Sequence, residues 1–135
     1  MSDTRIFLDS NVLLYLQSAD ADKANRAERC AHNGGVISVQ VMNEISHVML
    51  HKFRRPWEDI NEVLSVLQRL FVIRPLTLAE HLEGRRLAQC YKLGLYDAMI
   101  VASALLAQCE TLYSEDMQDG LLIEGRLRIR NPFIL

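Results

Sequence analysis

Apolar positions along this chain follow two rhythms. Four short runs, "RIFLD" at 5–9, "VISV" at 36–39, "FVIRPL" at 71–76 and "TLYS" at 111–114, have the length and flanks of buried strands. Longer stretches between them carry helical spacing. "NVLLYLQS" follows the first run, and the polar "DADKANRAERCAHNGG" reads as a second helix closed by Gly34 and Gly35, because glycine accepts the left-handed conformation that ends helices. "VQVMNEISHVMLHKF", preceded by Ser38, has an apolar stripe of Val41, Ile45, Val48, Met49 and Phe53. Pro56 suits the first turn of the next helix, to about Leu70. Thr77 and Glu80 form a capping-box pattern opening a helix to about Lys92, with Gly94 ending it. "DAMIVASALLAQ" is apolar almost all round and is therefore a central helix. "RLRIRNPF" predicts a last strand at a sheet edge. Strands alternating with helices predict an α/β fold with a mainly parallel sheet covered on both faces, in one domain over residues 1–135.

Composition narrows the partners. Half of the residues are hydrophobic and a quarter charged, which is globular rather than disordered, and a net charge of −2 gives no overall basic field. Contact with a polyanion would have to come from local clusters: Lys52, Arg54 and Arg55; Arg85, Arg86 and Lys92; or "GRLRIR". Each also reads as a solvated helix face. Cys30, Cys90 and Cys109 are odd in number and widely spaced, which excludes a disulfide framework and predicts free buried thiols in a reducing compartment. No run approaches the roughly 18 apolar residues that cross a bilayer, and "MSDTRIFLD" lacks the apolar core of a signal peptide. The expectation is a cytoplasmic protein.

The acids carry the chemistry. "LYSEDMQDG" packs Glu115, Asp116 and Asp119 into five positions. Asp9 ends the first strand and Asp116 lies just beyond "TLYS", and in parallel α/β sheets ligands bind beyond the carboxyl ends of strands. Asp97 shares the stripe of the most apolar helix, and Glu44 is flanked by Val41 and Val48. Singly, Asp9 and Asp97 suit helix caps, Glu44 a side chain reaching water, and residues 115–119 a solvated turn. Together they form a set of buried carboxylates that a divalent cation would neutralise. Oxygen-only donors favour Mg²⁺ or Mn²⁺ over Zn²⁺. Asn11 and Ser114 stand beside two of the acids and suit orienting roles. His47 and His51 have metal-ligand spacing on one helix but no third ligand.

"FLDSNVLLY", the Glu44 of "SVQVMNEI", "LYDAMIVASA" and "LYSEDM" resemble, in order and spacing, the motifs of PIN domains, and are most similar to VapC-type toxins of toxin–antitoxin pairs. The resemblance implies a three-layer α/β/α nuclease domain dependent on Mg²⁺ or Mn²⁺ and cutting RNA. It implies Asp9, Glu44, Asp97 and Asp116 as catalytic and metal-holding acids, with Asn11 and Ser114 in support and Asp119 as a possible additional acid. A cognate antitoxin and a homodimer are implied as well. Two other readings stay open: a PIN-like domain that binds RNA or a partner without catalysis, and a PIN nuclease of RNA processing without an antitoxin. A phosphotransfer enzyme with Asp9 as nucleophile is disfavoured, because its closest pattern needs a second Asp where Asn11 stands.

Overall fold

The structure, a computed structural model, describes residues 3–134. Its elements run β1 (Ile6–Leu8), α1 (Ser10–Leu14), a 3-10 turn (Tyr15–Gln17), α2 (Ala21–Ala31), β2 (Val36–Ser38), α3 (Val39–His51), α4 (Trp57–Leu70), β3 (Val72–Arg74), α5 (Leu78–Tyr91), α6 (Leu95–Leu106), β4 (Thr111–Tyr113), β5 (Leu122–Ile123) and β6 (Leu127–Arg130). The six strands form one sheet in the order β3-β2-β1-β4-β6-β5. All neighbours are parallel except the β5–β6 hairpin. This is the three-layer α/β/α class that the alternating pattern predicts.

Strand order fixes where a site can form. From β1 the chain steps outward to β2 and β3, then returns to β4 on the opposite side of β1. The connections therefore diverge between β1 and β4, leaving a crevice at their carboxyl ends. Leu8 pairs with Tyr113 in register, so the next residues, Asp9 and Ser114, emerge side by side, and the Asp9 N–H donates to the Tyr113 carbonyl at 3.0 Å.

The core explains the sequence rhythm. Phe7, Leu8, Val36, Ile37 and Leu112 on the strands are buried, as is every residue of α6 from Ala98 to Leu105. That helix packs most extensively on α5, where Gly84 lets the two backbones approach: a Cβ there would stand 2.8 Å from both Cε and Sδ of Met99. Gly84→Val is expected to lower stability by about 1–3 kcal/mol through overpacking. Pairing it with Met99→Ala should recover part of that loss, and urea melts of the double-mutant cycle would expose strict additivity if the contact carried no energy.

Five expectations need correction. The "RLRIR" strand is not an edge: β6 lies between β4 and β5, with Leu127 and Ile129 fully buried, and the two-residue β5 forms the edge. Phe53 leaves the apolar stripe because α3 stops at His51, and the residue is 42% exposed. Lys92 rather than Gly94 takes the left-handed turn after α5, with φ 56, and Gly94 instead precedes α6 as its N-cap. Pro56 is likewise the N-cap residue of α4, one position before its first turn. Of the three free thiols, Cys109 is buried and Cys30 partly so, but Cys90 is exposed. Burial pushes the Cys30 and Cys109 thiols up to about 11, which makes them poor nucleophiles. Among the described residues no helix is long and apolar enough to cross a membrane.

Candidate active site

Asp9 sits at the crevice between β1 and β4, 2% exposed. It caps α1, its Oδ1 accepting the Ser10 N–H at 2.7 Å. Its other oxygen accepts from the Ser114 hydroxyl at 2.8 Å and from the Asn11 amide at 3.3 Å. The capping role and the cluster thus coexist in one side chain.

Three more acids reach this place from distant segments. Glu44 projects from α3 and accepts the Ser10 hydroxyl at 2.8 Å and the Gln40 amide at 3.1 Å. Asp116 follows β4 and accepts the Asn11 amide at 3.1 Å, while its own N–H donates to the Ser114 hydroxyl at 3.3 Å. Asp97 is the third residue of α6 and does not cap it: the N-cap is Gly94, and the Asp97 carboxylate accepts no hydrogen bond among the described residues.

The three clustered acids of residues 115–119 part company. Glu115 turns away, bound by the Tyr15 hydroxyl at 2.6 Å and the Lys23 ammonium at 3.2 Å. Asp119 accepts the Asn131 N–H at 2.8 Å at the end of β6. Only Asp116 of the three joins Asp9 through a shared donor.

Electrostatics shows the strain in the arrangement. Burial pushes the Asp9 carboxyl up to about 6; bonds from Ser114 and Ser10 oppose the rise, and the charges of Glu44 and Asp97 add to it. Asp97 is raised too, by burial and then by Glu44 and Asp116. Among the described residues no Lys, Arg or His pairs with any of these four acids. Nor are three or more His, Cys, Asp or Glu side chains already arranged to hold a metal ion among those residues. The chemistry of the four acids nonetheless fits a hard cation: oxygen donors only, mutually repelling, with no cation of the protein's own.

Sequence reasoning missed Ser10 and Gln40, which hold Glu44, and the Tyr15–Lys23 pair that diverts Glu115. Ser10 follows Asp9 directly and Gln40 precedes Glu44 by one helical turn, so local spacing held that signal. Nothing local could reveal Tyr15 and Lys23, about a hundred positions away from Glu115. His47 and His51 lie against each other on α3 with ring centroids 4.5 Å apart and planes tilted by 51°, but no acid of the cluster bonds them. Arg86 is occupied by Glu83 and Glu124, and Arg128 donates to the Gly120 carbonyl at 2.7 Å.

The PIN domain family model matches residues 6–118, and the chain belongs to that family. Among solved structures, a toxin–antitoxin complex from Klebsiella pneumoniae contains a chain similar to this one with TM-score 0.74 and 24% identity, over 96% of this chain and 99% of that one. FitAcB from Neisseria gonorrhoeae is similar with TM-score 0.65 and 17% identity, over 96% and 99%. A sarcin–ricin-loop-cleaving toxin from Mycobacterium tuberculosis has TM-score 0.65 and 13% identity, over 79% and 86%. At these identities the likeness is one of fold. No curated protein matches the sequence.

Proposed function

We propose that this protein is a metal-dependent endoribonuclease and the toxin of a type II toxin–antitoxin pair. The observation that carries the reading is the meeting of Asp9, Glu44, Asp97 and Asp116, from four separate segments, at the crevice between β1 and β4, with no cation among the described residues paired to any of them. Membership of the PIN family and fold neighbours drawn from toxin–antitoxin complexes support it.

Asp9, Asp97 and Asp116 would hold Mg²⁺ or Mn²⁺, with Glu44 completing the set. A divalent cation there supplies Lewis-acid chemistry, making water a nucleophile near neutral pH and offsetting charge on a phosphodiester in transit. The protein's own groups preorganise the acids. Ser114 and the Ser10 N–H fix the two oxygens of Asp9, Asn11 keeps Asp116 turned towards it, and Gln40 with the Ser10 hydroxyl anchors Glu44. Among the described residues the Asp97 carboxylate accepts no hydrogen bond, which leaves its lone pairs open to a cation. Asp119 remains outside this set. A neutralising antitoxin, a homodimer and a cytoplasmic location belong to the same reading.

The test is direct. Purified protein should cut total cellular RNA with Mg²⁺ or Mn²⁺, and EDTA should stop it. Expressed alone, it should arrest growth, with relief from a small protein encoded beside it. RNA that binds but survives at every metal concentration would favour a binding module. Cutting without arrest would leave a processing nuclease.

A further inference from the structure

An open cleft of roughly 1340 Å³ runs from the acids along the exposed face of α3. Its lining includes Glu44 and Asp116 together with His47, Lys52, Arg55 and Tyr96, the residue before Asp97. Helical geometry accounts for part of the layout: Gln40, Glu44 and His47 share one face of α3, and Lys52, its C-cap residue, lies eight residues beyond Glu44, about 12 Å along the axis.

Two of these side chains have no structural employment. Tyr96 is 66% exposed, and its hydroxyl has no hydrogen-bond partner among the described residues. Lys52 is exposed at the end of α3 and forms no ion pair among the described residues. Arg55 is shared with Asp59 at 3.4 Å and half exposed. An exposed aromatic face and an unpaired cation lining one groove match the two needs of an unpaired nucleic-acid strand, a stacking platform for a base and a grip for the backbone. A duplex hides its base faces and cannot use Tyr96 in this way.

We propose that the cleft is a track for single-stranded RNA, in which Tyr96 stacks a base beside the acids and Lys52, with Arg55, holds a phosphate a few nucleotides along α3. The strand's identity as RNA rests on the nuclease reading; the track itself is a statement about binding. Cations in the same lining also explain how a polyanion enters a cleft that holds acids: the cations capture it, and the acids meet only the segment to be cut.

The experiment reads binding alone. A fluorescein-labelled single-stranded oligoadenylate is titrated with the full chain in EDTA over a series of salt concentrations. Wild type should bind it more tightly than the corresponding RNA duplex. Tyr96→Ala and Tyr96→Leu should each weaken binding about 5- to 150-fold, the range for loss of one stacked base, while Tyr96→Phe binds as wild type. Lys52→Ala should weaken binding and reduce the slope of log affinity against log salt by about 0.7, one single-strand phosphate. Unchanged affinity in Tyr96→Leu overturns the stacking role, and loss of self-association there with RNA binding intact would make Tyr96 a protein interface instead. An unchanged salt slope in Lys52→Ala overturns the grip, and absence of wild-type binding overturns the track. Binding without cutting when Mn²⁺ is restored would remove the nuclease reading while leaving the track in place.

Discussion

Asp9→Asn is expected to slow RNA cutting by about 10²–10³-fold, the scale seen when one electrostatic stabiliser is removed from an active site. In the same variant the metal-free protein should become more stable. Asp9 is almost wholly buried beside Glu44 and Asp97, and burial pushes its carboxyl up to about 6, well above the ordinary aspartate range. A rise of that size corresponds to about 3 kcal/mol against the ionised folded state. Asn removes the charge and keeps an acceptor for the Ser10 N–H, although the amide must repel the donor of Asn11. A net gain of about 1–2 kcal/mol at pH 7.5 is the result to look for in urea melts with EDTA.

The pH dependence carries the sign of the effect. Above about pH 6 Asp9 is ionised in both states, and the folded form bears the whole penalty. As pH falls from about 6 towards 4, the folded state takes up a proton that the unfolded state does not, so this group's contribution to stability rises. Below about 4 both states are protonated and the penalty is gone. The advantage of Asp9→Asn should therefore shrink through that window. With saturating Mn²⁺ the order should reverse, because only the wild type gains fully from binding. A variant less stable than wild type at pH 7.5 without metal would mean that hydrogen bonds outweigh charge at this position, and the strained-cluster account would fail.

How much of this was legible beforehand follows from where each signal lies in the chain. Asp9 and Asp116 could be read because strand ends are local features and the switch-point rule does the rest. Glu44 and Asp97 showed as acids set among apolar neighbours at helical spacing. Where Glu115 and Asp119 turn was not legible, since it depends on Tyr15, Lys23 and Asn131 being brought alongside by the fold. The edge of the sheet was misread for a similar reason. Arg128 and Arg130 give β6 the alternation of an edge strand, but "LLIEGR" holds only two strand residues and carries no period of its own. The left-handed turn at Lys92 had no cue, because glycine two positions later offered the cheaper conformation.

Asn11→Ala separates holding the acids from being one of them. The Asn11 side chain is a neutral bridge across the crevice: its amide donates to Asp9 and to Asp116, and its oxygen accepts the Glu115 N–H at 3.1 Å. With alanine there, Asp9 retains Ser114 and Ser10, but Asp116, exposed and repelled by its neighbours, loses the donor that turns it inward. Cutting should fall about 10–100-fold, the usual scale for removing a group that orients a metal-binding residue. Stability should change by no more than about 1–2 kcal/mol, since the bond to Asp116 is at the surface. Raised Mn²⁺ should restore most of the activity in Asn11→Ala, because the cation can itself draw Asp116 back, and should restore none in Asp9→Asn. Asn11→Asp should fare worse than alanine at low metal, since a further carboxylate adds repulsion without a donor. The decisive readout is the metal concentration for half-maximal cutting: if it is unchanged in Asn11→Ala while the maximal rate falls, Asn11 acts on the substrate rather than on Asp116.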